Sequence, residues 1–171
     1  MKPILETERL LLRELNPDDA RNFFNLNENP NVIKYTGDKA FQNIEEARKF
    51  LENYQDYRLS GYGRWAVMSK ENNEFLGWCG LKYNSSKDET DVGFRFFEHY
   101  WNKGFATESA RACIDYGFKK LNLNTVVGRA MQDNTASVKV LEKLGMNYLR
   151  DFDFDGYKGV IYKIENRNLQ Y

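Results

Sequence analysis

Three strand-like runs follow one another closely in the middle of the sequence. They cover Arg64 to Ser69, Phe75 to Tyr83 and Thr90 to Phe97, and only the polar segments KENNE and NSSKDE separate them. Runs rich in aromatic and branched residues, bounded by polar turn residues, are typical of β-strands. Because connections this short join antiparallel neighbours, the sequence predicts an antiparallel meander.

Four helices are predicted around this meander. Capping residues mark their limits, and in the later helices apolar residues recur at three- and four-residue steps. The predicted helices run from Asn16 to about Leu26, from Asn43 to the segment SGYG, from Ala106 to Leu121, and from Asp133 or Asn134 to Gly145.

Further strands complete the pattern. ERLLLREL precedes the first helix, NTVVGRAM follows the third, and two alternating segments flank the turn residues Asp155 and Gly156. The element order predicts an α/β fold with a mixed, mostly antiparallel sheet of about seven strands flanked by four helices. Since no linker or repeat interrupts the 171 residues, one domain is predicted over residues 1–171, with its core at about 8–165.

Composition argues against several classes of function. Lys and Arg total 25, as do Asp and Glu, so no net charge attracts nucleic acid, and no such partner is expected. No stretch approaches the ~20 apolar residues of a membrane span, so we expect a cytoplasmic protein without a membrane partner. Cys79, Cys113 and the only histidine, His99, are too few for a disulfide framework or a Cys/His metal site.

The segment YWNKGFATES, from Tyr100 to Ser109, joins the last meander strand to the longest predicted helix. The first N–H groups of such a helix lie unpaired at the positive end of its dipole, where phosphate oxygens bind. Gly104 lets a ligand approach the backbone or permits a positive φ, and Lys103 adds a positive charge. Ordinary strand-to-helix turns also contain single glycines, so the segment alone leaves both interpretations open.

Two other phosphate-binding motifs are not met by this sequence. It contains no GxxxxGK[ST] segment, which argues against a P-loop. The segment GYGRWA imitates a dinucleotide-binding motif, but it follows a predicted helix and precedes a predicted strand, the reverse of the required order. Nucleotide hydrolysis and hydride transfer therefore lose their best support.

A combination of segments is more specific than any one of them. TERLLLREL, FLGWCGL, DVGFRF, YWNKGFATESA and NTASVKVLEKLGM span nearly the whole chain. Together they resemble the GNAT superfamily of acetyl-CoA-dependent N-acetyltransferases, in the branch that contains ribosomal-protein N-terminal and spermidine N-acetyltransferases. The pyrophosphate loop of the family is usually written [Q/R]xxGx[G/A]; Gly104 and Ala106 match its last two positions, whereas Trp101 replaces Gln or Arg.

The resemblance implies acetyl-CoA as the cofactor and indicates where its parts bind. Backbone N–H groups of residues 101–107 would hold the pyrophosphate, and residues 134–143 would line the pantetheine arm. The strand of residues 94–96 would separate from its neighbour, so that its amides bind the pantetheine and one N–H polarises the thioester carbonyl. The implied cofactor-binding residues are Phe94, Arg95, Phe96, Trp101, Asn102, Lys103, Gly104, Phe105, Ala106, Thr107, Asn134, Ser137 and Lys143.

The acid that protonates the leaving thiolate is one open catalytic role. Many relatives place a tyrosine seven residues after the asparagine that matches Asn134, but Leu141 occupies that position here. Ser137 matches the hydroxyl that the ribosomal-protein branch places near the sulfur, so the resemblance implies Asn134 and Ser137 as catalytic residues. The alternative is an ordinary first-turn serine that bonds the backbone.

The general base is the other open role. Glu89 and Asp91 are the candidate carboxylates, because they lie on the strand expected to carry the cofactor. Asp91 is kept as a catalytic candidate, although a simple ion pair is the favoured interpretation, since Arg95 follows four residues on along the same face.

Two functions of different classes remain. The first is an enzyme that transfers an acetyl group to a primary amine, on a small molecule or a peptide N-terminus, by direct attack on the thioester. The second is a non-catalytic module of the same fold that binds coenzyme A or a protein, an alternative that Leu141 keeps open. Ser137, Asn134 and the matched loop residues favour the enzyme. A homodimer through an exposed edge strand or through the terminal hairpin is compatible with both.

Overall fold

Eight strands form one sheet in the computed structural model, which describes residues 3–166 of the chain. They are β1 (Leu5–Glu6), β2 (Leu10–Glu14), β3 (Arg64–Ser69), β4 (Phe75–Asn84), β5 (Glu89–Phe96), β6 (Thr125–Met131), β7 (Asn147–Phe154) and β8 (Tyr157–Glu165). Their order is β1-β2-β3-β4-β5-β6-β8-β7, and every neighbouring pair is antiparallel except β5 and β6.

The predicted meander is confirmed as β3, β4 and β5, and the α/β fold class is confirmed with it. The predicted count of about seven strands is corrected to eight by β1, which has only two residues. β1 pairs with β2 through Leu5 and Leu12. A strand this short leaves no alternating pattern that sequence reasoning could recognise.

Helices flank the sheet. They are α1 (Ala20–Glu28), α2 (Pro30–Ile33), α3 (Ile44–Glu52), α4 (Asp56–Ser60), α5 (Phe105–Lys120) and α6 (Thr135–Lys143). The predicted helices correspond to α1, α3, α5 and α6, whereas α2 and α4 are short helices in segments without a clear pattern. None of the helices between residues 3 and 166 is long and apolar enough to cross a lipid bilayer.

Two helix limits differ from the prediction. The second predicted helix does not continue to SGYG, because α3 ends at Glu52 and the side-chain amide of Asn53 donates to the carbonyl of Lys49 over 2.8 Å. At the first helix, Asn16 accepts the N–H of Asp18 over 2.8 Å, as a cap should. The turn that follows, Pro17–Asp19, is a 3-10 turn that precedes α1.

The two faces of the sheet carry separate hydrophobic clusters. On one face Cys113 of α5 and Leu141 of α6 pack with sheet residues such as Trp65. On the other face, residues of α1 and α3 such as Leu51 pack against Ala66. Both hydrophobic clusters therefore include residues of β3 and β4, which are neighbours in the interior of the sheet.

β5 and β6 separate soon after they pair. Asp91 pairs with Val127 and Val92 with Gly128, and β5 then continues to Phe96 against β4 alone. The sheet is therefore open between β5 and β6, at the end of β5 from which the chain leads into α5. This opening, together with the start of α5, positions the candidate site.

Candidate active site

The opening between β5 and β6 exposes main-chain groups of β5. The N–H of Phe97 donates to the carbonyl of Leu76 on β4 over 3.1 Å. Since N–H groups point to alternate sides along a strand, those of Phe94 and Phe96 point towards the opening. An extended ligand arm would find strand-like partners there, which agrees with what the resemblance implies for this strand.

Two residues with positive φ shape the loop between β5 and α5. Asn102 has a φ of 59°, and Gly104, the N-cap of α5, has a φ of 83°. Glycine adopts this left-handed conformation without the steric cost of a Cβ, and asparagine is among the residues that tolerate it best. The loop is therefore a specific conformation that two well-suited residues allow, and α5 begins directly after it at Phe105.

The N–H groups of this loop are available to a ligand. Within residues 3–166 no acceptor bonds the main-chain N–H groups of residues 102–107, and the first helical bond of α5 runs from Glu108 to Gly104 over 3.0 Å. Consecutive free donors at the N-terminus of a 16-residue helix form an anion site. The arrangement fits the pyrophosphate of coenzyme A, whose charged oxygens need several such donors.

Trp101 occupies the motif position where Gln or Arg is usual. Its indole N–H donates to the carbonyl of Phe96 over 2.9 Å, while 41% of the residue stays exposed. That carbonyl faces the opening, so β4 does not satisfy it. The replacement therefore keeps a side-chain donor at the first position of the motif and ties the loop to the end of β5.

Arg9 reaches the same loop from the turn between β1 and β2. Its guanidinium donates to the carbonyl of Lys103 over 3.1 Å and lies 4.5 Å from the centre of the Phe105 ring. It also donates to the carboxylate of Glu108, in the first turn of α5, over 2.7 Å. Sequence reasoning missed these contacts, and the one signal for them was that Arg9 belongs to the segment TERLLLREL.

Asn134 and Ser137 lie at the start of α6, beside the opening side of β6. Asn134 is the N-cap, and its side-chain oxygen accepts the N–H of Ser137 over 3.2 Å. The hydroxyl of the partly buried Ser137 bonds to no group within residues 3–166. That hydroxyl is thus available to donate to a ligand, rather than engaged with the helix backbone as the alternative interpretation requires.

Leu141, at the position where many relatives carry a tyrosine, belongs to the core. It is 1% exposed, and a Cβ at Gly128 would lie 2.5 Å from its Cδ2 atom. Gly128 is the last β6 residue that pairs with β5, so Leu141 packs next to the point where the two strands separate. The leucine fills this space but has no hydroxyl that could donate a proton to the leaving thiolate.

Both candidate carboxylates on β5 are bonded to arginines. Asp91 accepts from Arg64 over 2.7 Å, and Arg129 lies 4.0 Å away. Glu89 is bonded to Arg129. Either carboxylate would lose an ion pair if it accepted a proton from an ammonium group, so neither is a free base in this arrangement.

Arg95 is not the partner of Asp91. Its side chain bonds to Asn27 of α1 and, over 2.6 Å, to Asp38. Arg64 reaches Asp91 instead, because Gly93 leaves room for its guanidinium: a Cβ at Gly93 would lie 2.7 Å from that group. With the Arg95 side chain engaged elsewhere, only its main chain is left for the predicted role in cofactor binding.

Lys143 lies at the far end of α6, with an exposed side chain. Its carbonyl accepts a hydrogen bond from Arg111 of α5 over 2.5 Å. This bond holds the C-terminal end of α6 beside the N-terminal half of α5. The observed role of Lys143 is thus a main-chain contact between the two helices, and its predicted part in cofactor binding stays a prediction.

Comparisons with known proteins agree with this geometry. The sequence profile described as "Acetyltransferase (GNAT) domain" matches residues 9–147. The chain is 33% identical over 154 residues to the uncharacterized N-acetyltransferase p20 of Bacillus licheniformis, which covers 87% of this chain and 86% of that protein. It is 25% identical over 138 residues to the spermidine N(1)-acetyltransferase of Vibrio cholerae, with 80% and 78% covered.

A solved structure supports the same assignment. The structure of a GNAT-family acetyltransferase from Bacillus anthracis superimposes with a TM-score of 0.83 at 26% identity, over 95% of this chain and 98% of that one. The profile match covers most of the chain, from Arg9 to the start of β7. The chain therefore belongs to the GNAT family of acetyltransferases, as the resemblance predicted.

Proposed function

We propose that the protein transfers an acetyl group from acetyl-CoA to the α-amine of a peptide N-terminus or of a small molecule. One observation carries the proposal: two sets of free main-chain donors, at the opening of β5 and in residues 102–107, stand on consecutive segments of the chain. Acetyl-CoA supplies an activated thioester on a long amide-containing arm that ends in a diphosphate. The two donor sets suit these two parts.

One of the N–H groups of Phe94 and Phe96 is the proposed donor to the thioester carbonyl, and the other is left for the pantetheine arm. A preorganised main-chain donor stabilises the negative charge that develops on this oxygen when the amine attacks. The amine forms the new N–C bond as the C–S bond breaks, and it loses a proton to water. The departing sulfur keeps the electron pair of the broken bond and takes up one proton.

Ser137 is the proposed donor of that proton. Its hydroxyl has no partner within residues 3–166, and the cap made by Asn134 fixes the helical turn on which it lies. A thiol with a pKa near ~8.5 leaves with little assistance. We therefore expect a contribution at or below the low end of the ~10²–10⁴-fold that general acids supply.

The arginine-bound carboxylates favour an acceptor that is already neutral at the reaction pH. At pH 8 about half of an α-amine with a pKa of ~7.7–8.0 is neutral, but only roughly 0.4% of an amine with a pKa of ~10.4. Glu89 and Asp91 are engaged with arginines, and so is Asp38. These carboxylates are thus free neither to deprotonate a polyamine nor to bind its several charges.

Acceptor preference is tested by thiol release from acetyl-CoA near pH 8 with peptides of different N-termini, amino acids, amino sugars and spermidine. We expect kcat/KM for the best α-amine to exceed that for spermidine at least tenfold, and Ser137→Ala to lower kcat while the KM for acetyl-CoA stays within about threefold. Ser137→Thr, which keeps the hydroxyl, is the matched control.

A polyamine acceptor is the second candidate, because the relative from Vibrio cholerae is named a spermidine acetyltransferase. Turnover with spermidine alone would establish it in place of the first. Binding of coenzyme A without turnover on any acceptor would favour the non-catalytic alternative, which family membership makes the weaker one. A cytoplasmic location, the absence of nucleic-acid and membrane partners, and a homodimer stay predictions.

A further inference from the structure

Glu108 places a negative charge where a phosphate-binding helix is expected to avoid one. It is the fourth residue of α5, and the free N–H groups of residues 102–107 directly precede it. A carboxylate in the first turn stabilises the helix by itself, but it competes with a bound anion for the same positive end of the dipole. At a separation within the ~10 Å Debye length, an uncompensated charge would also repel a diphosphate.

Groups from the turn between β1 and β2 compensate this charge. The guanidinium of Arg9 contacts Oε2 of Glu108 at 2.7 Å through Nε and 2.6 Å through Nη2. The main-chain N–H of Arg9 and the hydroxyl of Thr7 donate to Oε1 over 3.1 Å and 2.6 Å. Both carboxylate oxygens are therefore bonded, and a positive charge lies directly against the negative one.

These bonds keep the carboxylate ionised. Burial raises the pKa of Glu108, but the hydrogen bonds from Thr7 and Arg9, together with the charge of Arg9, outweigh it and leave that pKa below its ordinary value. At neutral pH the pair is thus an ion pair of zero net charge rather than a protonated acid beside a free arginine.

The same guanidinium also supports the loop. Its Nη1 donates to the carbonyl of Lys103 over 3.1 Å, and its carbon lies 4.5 Å from the centre of the Phe105 ring. Its Nη2 would lie 3.4 Å from a Cβ at Gly104. Arg9 therefore bridges the carboxylate of Glu108 and residues 103–105, which lie in the phosphate loop, the name used here for residues 102–107.

We propose that Thr7 and Arg9 are positioning residues for coenzyme A, which hold Glu108 as an electrically neutral anchor of the loop formed by residues 102–107. They act through Glu108 and the loop carbonyl, without contact to the reacting atoms. The inference rests on the proposed function, since it concerns the same cofactor. If Arg9 only held the loop in place, its removal would weaken coenzyme A binding whether or not Glu108 is charged. The neutral anchor instead predicts that the charge of Glu108 weakens coenzyme A binding once Arg9 is removed.

The test is calorimetric binding of coenzyme A, without an acceptor, to Arg9→Met, Glu108→Gln and the double variant. We expect Arg9→Met to weaken binding about tenfold, Glu108→Gln to change it less than about threefold, and the double variant to return to within about threefold of the unsubstituted protein. The deficit of Arg9→Met should shrink at high salt, because screening weakens the repulsion. With acetyl-CoA it should appear in KM, with kcat within about twofold.

Controls separate this role from loss of folding. Arg58→Met removes the same charge from α4, where Arg58 bonds Gln55, and is expected to bind like the unsubstituted protein. Thermal unfolding without ligand reports the structural part of each substitution, and Arg9→Lys keeps the charge should Arg9→Met not fold. Arg9→Lys is then expected to bind coenzyme A with an affinity within about threefold of that of the unsubstituted protein. A tenfold loss of affinity in Arg9→Lys would overturn the neutral anchor.

The outcomes distinguish this inference from the proposed function. A double variant that binds as weakly as Arg9→Met would overturn the neutral anchor and leave a tether. Normal binding by Arg9→Met would overturn both roles of the arginine. If the variants bind coenzyme A with the expected order of affinities but no acceptor is acetylated, the proposed catalysis is wrong and the neutral anchor stands. If the unsubstituted protein does not bind coenzyme A, the proposed function and the neutral anchor are both wrong.

Discussion

The indole of Trp101 donates a hydrogen bond to the carbonyl of Phe96 over 2.9 Å. Phe96 ends β5, and Trp101 begins the segment that leads into α5. One side chain therefore fixes the two proposed cofactor-binding segments, the open strand and the phosphate loop, relative to each other. Trp101 shares a side-chain N–H donor, rather than its size, with the Gln or Arg that is usual at this position of the motif.

Removal of this donor is expected to weaken the use of acetyl-CoA. A hydrogen bond contributes about 1 kcal/mol net, so Trp101→Phe should raise the KM for acetyl-CoA roughly fivefold. Trp101→Gln keeps a donor and should stay within about twofold. Steady-state kinetics with varied acetyl-CoA measures both, and equal losses in the two variants would show that the ring matters instead of the donor.

Gly104 is expected to matter for both stability and binding. A side chain in its left-handed conformation costs about 1–2 kcal/mol, so Gly104→Ala should lower the free energy of unfolding by that amount. Gly145 ends α6 with a similar φ of 80° and open space around it, which makes Gly145→Ala a matched control. We expect similar destabilisation of both variants in urea but weaker coenzyme A binding only at Gly104. Weakened binding in both would point to a global effect.

Asp91 is expected to act in structure rather than as a base. Its ion pair with Arg64 is largely buried, so Asp91→Asn and Arg64→Gln should each destabilise the fold by roughly 3 kcal/mol or less, and the double variant by less than their sum. The pH profile of kcat/KM should keep its shape in Asp91→Asn. If the fall of kcat/KM at low pH disappeared in Asp91→Asn alone, Asp91 would be the general base.

The anchor of Glu108 predicts a specific dependence on pH. Because its pKa is lowered in the folded state, Glu108 stabilises the protein above the unfolded value, ~4.3, and this contribution is lost as the pH falls through the folded value. The nearby basic groups are Arg9, which is bonded to the carboxylate, and Arg111, three residues later in α5. The difference in Tm between the unsubstituted protein and Glu108→Gln should therefore be constant near neutral pH and shrink below ~4.3. A difference that grows on acidification would contradict this assignment.

Tyr57 joins three parts of the fold through one hydroxyl. It accepts the N–H of Leu15 over 3.0 Å and donates to the carbonyl of Arg64, and burial raises its pKa, so the phenol stays protonated. Tyr57→Phe should cost about 1–3 kcal/mol of unfolding free energy, because buried partners are left unpaired. Tyr83→Phe, at an exposed hydroxyl bonded to Asp88, should cost about 0.5 kcal/mol or less. Urea unfolding of the pair measures the contrast.

Much of the fold was predictable because its signals are local. The bounds of β3 are those predicted, and Asn43 and Asn134 cap helices as their sequence contexts indicate. The start of α5 was predictable for the same reason, since Gly104 lies between a strand pattern and a strong helical pattern, whereas phosphate binding by this segment stays a prediction. The short elements were not predicted, because β1 has two residues and α4 has five, which are too few to show a periodic pattern.

The sequence by itself thus determined the family and the order of the longer elements, and it singled out the segments proposed to bind the cofactor, because periodicity, caps and motifs lie within a few neighbouring residues. Only the tertiary structure decided which charges meet. Arg9 and Glu108 are 99 positions apart, and Asp91 bonds an arginine from β3 rather than the one four residues along its own strand. Such pairings follow from how strands and helices pack, and from the space a glycine leaves, so no local pattern contains them.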